Sequence, residues 1–478
     1  MLSLDVAPVM GQLTWQRTYG GYSIDEGNCV VAGPNGNLLV VGSTGSFGAG
    51  NGDIYVLLLD STGSKIWSTT VGGTGVDQGK KAVLASDGGY VIVGVTNSFG
   101  YGGYDGYVAK IDSVGTLVWE RSYGGDGWDF FNSITPAQDG GYVVAGETYS
   151  SGSGGGDGWL VKLDVDGEME WEHTFGGAQH DLFNCVARTT DDGYVLAGGH
   201  TTDNDMDAWV VKVDQSGEQA WESLQGGDSV DVANAIIQTI EGGYVAVGST
   251  RSYGSLVEAL QFRVNALGVV VWVQHWLQGS GEEYYDLVEM PDGRLVSVGY
   301  VDGLGSGGKD MYILFSGSDG GFISGITNGG DQGTEDEVAK ALVRFGSSGF
   351  VICGYTESFG FGSRDVYLVR TDSAGVTSST MVQVEFDPLG IADVLKTQRI
   401  SAYPNVVMPN GIVHLDGLGE GVVSVSLLDI QGKAIESLDL LPGSTPAVRI
   451  PNFAPGPYLL SVQQVDQLPI TVRLIVMN

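Results

Sequence analysis

The sequence predicts an all-β protein whose main part is a seven-bladed β-propeller of four-stranded antiparallel blades. One observation is a fixed period: an aromatic residue recurs at spacings of 50 to 52 residues in the 478-residue chain. A period of this size indicates a repeat architecture. The other is that each period holds four short apolar runs separated by glycine turns, as in a propeller blade. The aromatic positions are Trp15, Trp67, Trp119, Trp171, Trp221, Trp272 and Phe322.

The third period shows how the strands of each blade are assigned. Residues 129–136 lead to an Asp-Gly-Gly turn and are predicted as the first strand. Residues 141–148 are an apolar run typical of a strand covered on both faces. Residues 157–164 follow a Gly/Ser-rich loop, and residues 168–175 follow an Asp-x-x-Gly turn. Asp-Gly turns between apolar runs indicate hairpins, so each period is an antiparallel meander. A solenoid is the alternative architecture.

The order of the strands predicts how the ring closes. The strand around Trp15 precedes the first complete period, and the last period ends after a third strand at 365–372. We expect the N-terminal strand to complete the last blade, which removes an exposed sheet edge. A strand at 377–385 competes for this place but has Ser379 where the Trp is expected. The predicted organisation is an N-terminal segment, the propeller, a linker and a second unit, at 1–11, 12–385, 386–399 and 400–478.

Composition excludes several classes of protein. The 78 glycines are periodic, which indicates many short strands joined by turns. The net charge of −35 argues against nucleic acid or an anionic membrane as a partner. No apolar run reaches 18 residues, so no membrane insertion is expected. The scattered cysteines Cys29, Cys185 and Cys353 give no disulfide framework. Residues 1–16 contain no Lys or Arg, so we do not expect them to be a complete signal peptide.

Blades 5 and 6 depart from the repeat. The glycine cluster between the second and third strands of blade 5 is replaced by RSYGSLVEAL, and blade 6 has Phe322 in place of Trp. Such departures either specialise a binding face or reflect drift, and the sequence leaves both interpretations open.

The repeat itself resembles a known class. The shared pattern joins an Asp-x-aromatic start, a Lys, an Asp-x-x-Gly turn, a Trp and a Gly-Gly pair. It occurs here as Asp105-Gly-Tyr107, Lys110, Asp112, Gly115, Trp119 and Gly124-Gly125. This pattern resembles the SBBP repeats of bacterial secreted proteins over roughly residues 12–375. The resemblance implies seven blades and no single activity.

The segment 400–478 contains a second set of recognisable residues: Tyr403, Pro404, Asn405, Asp429, Gly432, Lys433, Gly456 and Tyr458. This set resembles the type A sorting domain of type IX secretion in Bacteroidetes-type bacteria, although Val406 and Pro457 depart from the usual pattern. The resemblance implies a small Ig-like β-sandwich that is recognised by the type IX secretion machinery. It further implies a protein that is secreted or held on the outer surface of a Gram-negative cell.

Two acidic positions recur in all seven periods. The first acidic position lies at the start of the first strand of each period, and its seven residues are predicted to form a ring near one mouth of the channel. It suits a ligand or Ca²⁺, or it caps backbone N–H groups of the Gly-Gly turn. Its members are Asp25, Asp77, Asp129, Asp181, Asp231, Glu283 and Glu337. Three residues further on are Asn28, Lys80, Asn132, Asn184, Asn234, Asp286 and Lys340. The second opens the third strand: Asp53, Asp105, Asp157, Asp207, Glu258, Asp310 and Asp365.

Three further sets of residues recur or stand out, and two of them are candidates for binding. Asp203, Asp205 and Asp207 resemble a D-x-D-x-D calcium loop but lack the Gly and distal Glu of an EF-hand. Cations five residues after the second acidic position are expected to pair with neighbouring carboxylates: Lys110, Lys162, Lys212, Arg263 and Arg370. Loop aromatics suit either stacking on a ligand or packing between blades: Phe47, Phe99, Tyr104, Trp128, Tyr253, Tyr284 and Phe359.

The sequence favours binding over catalysis. The five histidines have no metal-ligand spacing, and no nucleophile elbow or phosphate loop is present. The predicted function is a secreted or cell-surface binding or adhesion module for an extracellular protein or glycan. One alternative is a polysaccharide hydrolase or lyase, because glycosidases need only two carboxylates at a suitable separation. Another is a structural subunit of a surface coat or filament.

Overall fold

The computed structural model divides the chain into two compact units, residues 1–389 and 390–478. In the first unit it describes residues 14–202, 205–303, 308–328, 335–346, 349–377 and 382–386. In the second unit it describes residues 401–403, 406–407, 412–416, 422–428, 433–438, 447–451, 454, 456–464 and 470–476. Among all of these residues, no helix is long and apolar enough to cross a membrane.

The described part of the first unit consists of β-strands, with one short 3₁₀ turn at Pro34–Gly36. The chain begins with β1 (Trp15–Gly20). Sheet 1 contains β2 (Asp25–Ala32), β3 (Leu38–Thr44), β4 (Asp53–Leu59) and β5 (Lys65–Val71). Sheet 2 contains β6 (Asp77–Leu84), β7 (Tyr90–Thr96), β8 (Asp105–Ile111) and β9 (Leu117–Tyr123). Sheet 3 contains β10 (Asp129–Pro136), β11 (Tyr142–Thr148), β12 (Asp157–Leu163) and β13 (Met169–Phe175).

The remaining sheets of this unit follow the same order. Sheet 4 contains β14 (Asp181–Arg188), β15 (Tyr194–Thr202), β16 (Asp205–Val213) and β17 (Gln219–Gln225). Sheet 5 contains β18 (Asp231–Gln238), β19 (Tyr244–Thr250), β20 (Glu258–Val264) and β21 (Val270–Trp276). Sheet 6 contains β22 (Gly281–Glu289), β23 (Leu295–Asp302), β24 (Lys309–Ser316) and β25 (Phe322–Asn328). Sheet 7 contains β26 (Glu337–Phe345), β27 (Gly349–Thr356) and β28 (Asp365–Thr371), together with β1 and β29 (Val382–Phe386).

These sheets have the arrangement of a β-propeller. Sheets 1 to 6 are antiparallel meanders, and the first three strands of sheet 7 follow the same pattern. The first strand of each sheet, here called the inner strand, lies against the inner strands of both neighbouring sheets. The inner strand of sheet 7 also lies against that of sheet 1. Main-chain hydrogen bonds join neighbouring sheets where an inner strand begins, for example from Asp129 N–H to the Tyr104 carbonyl at 2.8 Å. The loops at this end form one surface, which we call the loop face. It comprises the loops that precede each inner strand and those that follow each second strand.

The core lies between neighbouring sheets. The second and third strands are buried along most of their length, as in Tyr142–Thr148 and Asp157–Leu163 of sheet 3. Their apolar side chains on both faces pack against adjacent sheets, which explains why these segments are continuous apolar runs in the sequence. The fourth strands, such as Met169–Phe175, are partly exposed and alternate in burial. Cys29, Cys185 and Cys353 are free thiols in this core.

The N-terminal strand lies inside sheet 7. Trp15–Gly20 pairs antiparallel with β28 on one side, Trp15 lying opposite Arg370. It pairs parallel with β29 on the other side. The predicted competitor strand therefore adds a fifth strand beside β1 and does not replace it. Trp15 and Tyr19 are buried in the core shared by sheets 7 and 1.

The second unit contains two sheets within its described residues. Its strands are β30 (Ser401–Tyr403), β31 (Val406–Val407), β32 (Ile412–Asp416), β33 (Val422–Leu428), β34 (Ala434–Leu438), β35 (Ala447–Arg449), β36 (Gly456–Gln464) and β37 (Ile470–Val476). One sheet has the order β30-β32-β35, and the other has the order β31-β37-β36-β33-β34. Tyr403, Gly456 and Tyr458 lie in strands, and Lys433 precedes β34. The predicted sorting residues Pro404, Asn405, Asp429 and Gly432 lie outside the described residues.

Candidate functional site

The first acidic position is buried in every sheet, and one of its predicted members is wrong. In sheet 6 the equivalent residue is Glu282, which is fully buried, whereas Glu283 is not. Glu282 Oε2 accepts the N–H of Gln278, four residues earlier, at 2.9 Å. The same i−4 bond links Asp129 to Gly125 at 2.9 Å. Because Glu282 and Glu283 are adjacent, the acidic pattern of the sequence does not show which of them is equivalent to Asp129. The ten-residue distance from the preceding Trp, which holds in sheets 1 to 6, identifies Glu282.

Asp129 illustrates the role of this position. Its Oδ2 accepts the Gly125 N–H at 2.9 Å and the Ser150 hydroxyl at 2.6 Å. Its Oδ1 accepts the Thr148 hydroxyl. Because the carboxylate is buried and its oxygens are bound by donors of its own sheet, it holds the loop face together. The other members are also buried: Asp25, Asp77, Asp181, Asp231 and Glu337.

The second acidic position of each sheet lies close to the first position of the next sheet. A Cβ added to Gly226 would lie 2.0 Å from Asp207 Oδ1 and 2.5 Å from Asp231 Oδ2. The Gly-Gly motif is therefore required, because two carboxylates flank the backbone with no room for a side chain. Burial raises the pKa of Asp207, with Asp205 and Asp231 adding to the effect.

One of these carboxylates makes a pH-dependent contribution to stability. Burial raises the pKa of Asp310 to about 6, and Glu337 and Asp302 add to the shift. Because the folded-state pKa exceeds the unfolded value, Asp310 destabilises the fold increasingly as pH rises from about 4 to 7. We expect Asp310→Asn to raise the melting temperature at pH 8 and to change it little at pH 4.5. The exposed control Asp228→Asn should have no effect at either pH. A lower melting temperature for Asp310→Asn at pH 8 would contradict this.

The predicted calcium segment is part of a hairpin. β15 and β16 are longer than their counterparts and pair as far as Thr202 opposite Asp205. Asp203 lies outside the described residues, and Asp205 and Asp207 lie two residues apart on β16. In the part of the chain that the structure describes, no three His, Cys, Asp or Glu side chains converge as metal ligands would.

The position three residues after the first acid connects neighbouring sheets. The Asn132 side-chain amide donates to the Phe183 carbonyl of the next inner strand at 3.0 Å. Asn28, Asn184 and Asn234 make the equivalent bond. We call this bond the asparagine clasp. With the register of sheet 6 corrected, the residues that replace the asparagine are Lys80, Tyr285 and Lys340 in sheets 2, 6 and 7.

Two of these replacements, Tyr285 and Lys340, belong to a cluster at the channel mouth on the loop face. We define the mouth cluster as Tyr285, Tyr300, Lys309 and Lys340. Lys340 Nζ lies 3.5 Å from the ring centroid of Tyr285, and Lys309 Nζ lies 4.1 Å from that of Tyr300. The two rings are 6.3 Å apart. The Tyr285 hydroxyl donates to Glu283 Oε2 at 2.9 Å, which places the incorrectly predicted ring member beside this cluster.

The lysines of the mouth cluster differ from the structural cations. Among the described residues, Lys309 and Lys340 form no ion pair, and neither does the nearby Lys80, which donates to Gln78 at 3.1 Å. Four of the five third-strand cations, in contrast, pair with a carboxylate as predicted, whereas the prediction is wrong for Arg370, which donates to the Ser61 carbonyl at 2.5 Å and lies over the Phe345 ring. The partners of the four are Asp87 for Lys110 at 2.7 Å, Asp139 for Lys162 at 2.8 Å, Asp191 for Lys212 at 3.1 Å and Glu241 for Arg263 at 3.2 Å.

The carboxylates near the mouth cluster are occupied by other donors. Asn234 Nδ2 donates to Glu283 Oε1 at 2.9 Å. Glu26 accepts a hydrogen bond from Arg364, whose guanidinium also donates to Glu357 at 2.7 Å. Burial lowers the pKa of Lys340 to about 8, an effect that Glu283 and Glu26 oppose and that Lys309 and Lys80 increase. The ammonium groups are thus held in a partly desolvated position without a dedicated counterion among the described residues.

A second feature of the loop face is a group of aromatic side chains at sheets 2 and 3, two of them exposed and two half-buried. We call Tyr101, Tyr104, Trp128 and Phe130 the aromatic crown. Tyr101 is 75% exposed and Trp128 is 56% exposed. The Tyr104 ring lies 6.0 Å from both Trp128 and Phe130. A Cβ on Gly103 would lie 2.2 Å from Trp128 Nε1, so the indole lies directly over this glycine. These contacts hold Tyr104, Trp128 and Phe130 in fixed orientations, and Trp128 stays exposed beside the exposed Tyr101.

The other loop aromatics have different roles. Tyr284 is fully buried in an inner strand and is not at a loop tip, which corrects the sequence prediction. Tyr253 is exposed and stacks on His275 at 4.3 Å. Phe47, Phe99 and Phe359 pack on Tyr55, Tyr107 and Tyr367. Sequence reasoning missed Tyr285, Tyr300 and Lys309, because their contacts depend on the register of sheet 6. The lysines in the place of the asparagine were the available signal.

The repeat identifies the family. The family model described as "Outer membrane protein assembly factor BamB" matches residues 4–200 and 104–350. The chain belongs to this family. The two matches together include sheets 1 to 6 and the first strand of sheet 7, and they end before the second unit. No curated protein matches the chain.

Several solved structures are similar to the chain. A protein of unknown function from Bacteroides caccae shares 10% identity, with 57% of this chain and 90% of that chain covered and a TM-score of 0.38. The Pan2 WD40 domain of Neurospora crassa shares 9% identity, with 75% and 91% covered and a TM-score of 0.44. A mutant puromycin hydrolase in complex with PGG shares 14% identity, with 83% and 61% covered and a TM-score of 0.48. At these identities the likeness concerns the fold alone.

Proposed function

We propose that the protein is a secreted or cell-surface binding module whose ligand site is the loop face of a closed, seven-bladed propeller. The observation that carries this proposal is the aromatic crown, because exposed aromatic rings held in fixed orientations suit stacking on a ligand. Large apolar side chains that stay exposed in contact with one another mark interaction sites. The ligand is an extracellular glycan or protein.

The remaining parts of the chain support an extracellular role. The second unit, with its two described sheets, is proposed to be a type IX sorting domain with an Ig-like fold. The type IX secretion machinery would recognise this domain, which would direct the protein to the outer surface of the cell. The family description refers to assembly of outer membrane proteins, which supports a location in or beyond the cell envelope. Calcium binding is also proposed, and a melting temperature that a chelator leaves unchanged would contradict it.

The structure favours binding over hydrolysis by the predicted carboxylates. Asp129 and Asp181 are fully buried, and their oxygens accept hydrogen bonds from their own loops. Neither side chain can therefore contact a polymer in the channel. The binding proposal requires no catalytic group.

Replacement of exposed residues of the aromatic crown is expected to weaken binding. Glycan arrays and pull-downs with extracellular proteins would first identify a ligand for the full chain. Tyr101→Ala and Trp128→Ala should each weaken that binding by about tenfold to thirtyfold, because buried Trp and Tyr contacts dominate interfaces. Val118→Ala removes an exposed side chain from the fourth strand of sheet 2 and is the control. Retention of full affinity by the Trp128 variant would place the ligand elsewhere.

A further inference from the structure

The mouth cluster has no structural explanation in the repeat. Where asparagine occupies this position, its amide closes a hydrogen bond between inner strands. Lys80 and Lys340 replace that bond with an ammonium group at the channel mouth. Because a half-buried cation without an ion-pair partner among the described residues is destabilising, these lysines cost stability and do not add to it.

The lysines of the mouth cluster lack an ion-pair partner among the described residues, although the chain as a whole has a large excess of carboxylates. The protein has 57 acidic and 22 basic residues. Despite this excess of carboxylates, Glu283 and Glu26 accept hydrogen bonds from Asn234, Tyr285 and Arg364, and Asp336 accepts the main-chain N–H of Lys309 at 3.0 Å. The ammonium groups of Lys309 and Lys340 instead lie on tyrosine faces, which leaves their remaining N–H donors available. This arrangement is complementary to an anionic group supplied by a ligand.

The location of the cluster restricts the ligand further. Lys80, Lys309 and Lys340 are half-buried around the mouth, so only a narrow group reaches them. The same loop face carries the aromatic crown, whose open rings stack on flat apolar faces such as those of sugars. A folded acidic protein would present a broad negative surface to a protein of charge −35, which opposes its approach.

We propose that the mouth cluster binds the acidic group of a saccharide, a carboxylate or a sulfate, through Lys309 and Lys340 with Lys80 beside them. This inference rests on the proposed binding function and assigns its ligand class. The anion would receive N–H donors from the two lysines and replace the missing counterion. Tyr285 and Tyr300 would position the ammonium groups.

The test is calorimetric titration of the full chain at pH 7 and low salt with three probes of equal length. These are oligogalacturonate, a sulfated galactan fragment and a neutral galactan fragment. We expect at least one acidic probe to bind at least tenfold more tightly than the neutral probe, and the probe that binds distinguishes carboxylate from sulfate. Equal affinity for acidic and neutral probes would overturn the inference while leaving the proposed function intact.

Variants locate the site. Lys340→Asn restores the residue found at four equivalent positions and should weaken acidic-probe binding at least tenfold without lowering the melting temperature. Lys309→Gln should weaken binding similarly. Arg294→Gln removes an exposed cation from the turn between the first and second strands of sheet 6 and is the control. Unchanged affinity in both lysine variants would overturn the inference. Loss of binding in Trp128→Ala alone would support the proposed function and refute the mouth cluster.

The pH dependence provides a second readout. The titratable groups that face Lys340 are Glu26, Glu283, Lys80 and Lys309, together with the Tyr285 ring. Burial lowers the pKa of Lys340 to about 8, so this side chain loses its proton within the interval tested. Affinity for the acidic probe should therefore fall between pH 7 and 9.5, and should fall less in Lys340→Asn. An affinity that rises over this interval would contradict the assignment.

Discussion

A chain that lacks residues 1–20 is expected to lose the folded state of the whole first unit. The truncation removes β1, which pairs with both β28 and β29 in sheet 7. It also removes the buried Trp15 and Tyr19 from the core between sheets 7 and 1. Loss of two large core side chains alone costs about 6 kcal/mol or more. The exposed edge of β28 would in addition promote aggregation.

The matched control is a chain truncated at the other end, without residues 387–478. The described residues of this segment belong to the second compact unit, and none of them is part of sheet 7. We expect this chain to remain soluble and to melt cooperatively, whereas the N-terminal truncation should be insoluble or give no cooperative melting transition. A soluble N-terminal truncation with an unchanged melting temperature would show that β1 does not close the ring.

Asp129→Ala is expected to destabilise the fold more than any other single substitution in the loop face. It leaves the Gly125 N–H and the Thr148 and Ser150 hydroxyls without their acceptor. Hydrogen bonds to a buried charged group contribute about 1.5–3 kcal/mol each, and their losses overlap, so we expect about 3–5 kcal/mol in total. Denaturant unfolding and thermal melting measure this change.

Asp126→Ala is the control for this substitution. Asp126 lies three residues earlier in the same loop and is exposed. Its removal should change the free energy of unfolding by less than about 0.5 kcal/mol. Equal effects of the two substitutions would mean that the buried carboxylate is not a structural element of the repeat.

The sequence was sufficient to predict the strands of the regular sheets. Residues 129–136, predicted as a first strand, form β10, and the other three strands of sheet 3 agree within one residue. The reason is local: turn glycines and apolar runs determine where strands begin and end. The carboxylate ring was also visible, because one residue type recurs at one place. Its structural role required the hydrogen-bond geometry around Asp129.

The mouth cluster could not be predicted in the same way. Lys340 contacts Tyr285, which lies in another sheet, and the error of one residue at Glu283 moved Tyr285 out of its equivalent position. Contacts between side chains that are about one repeat apart can be predicted only when the register of both inner strands is known. The departure of sheet 6 from the repeat, which the sequence showed, coincides with a specialised part of the loop face.

Residues that build the repeat and residues that depart from it have different roles in this protein. The buried carboxylates and the asparagine clasp stabilise the ring, whereas Lys340 occupies a clasp position without making the bond. A substitution that restores the clasp should therefore stabilise the protein while removing its ligand. Stability and ligand binding are therefore opposed at the position of Lys340.

The most direct measurement is the melting temperature of Lys340→Asn together with its affinity for an acidic oligosaccharide. We predict that the melting temperature rises by a few degrees, since one hydrogen bond between inner strands contributes about 1 kcal/mol. We predict at the same time that affinity falls at least tenfold. Asn132→Ala, which breaks an existing clasp, should lower the melting temperature. A lower melting temperature with unchanged affinity in Lys340→Asn would show that Lys340 belongs to the scaffold and would contradict the account.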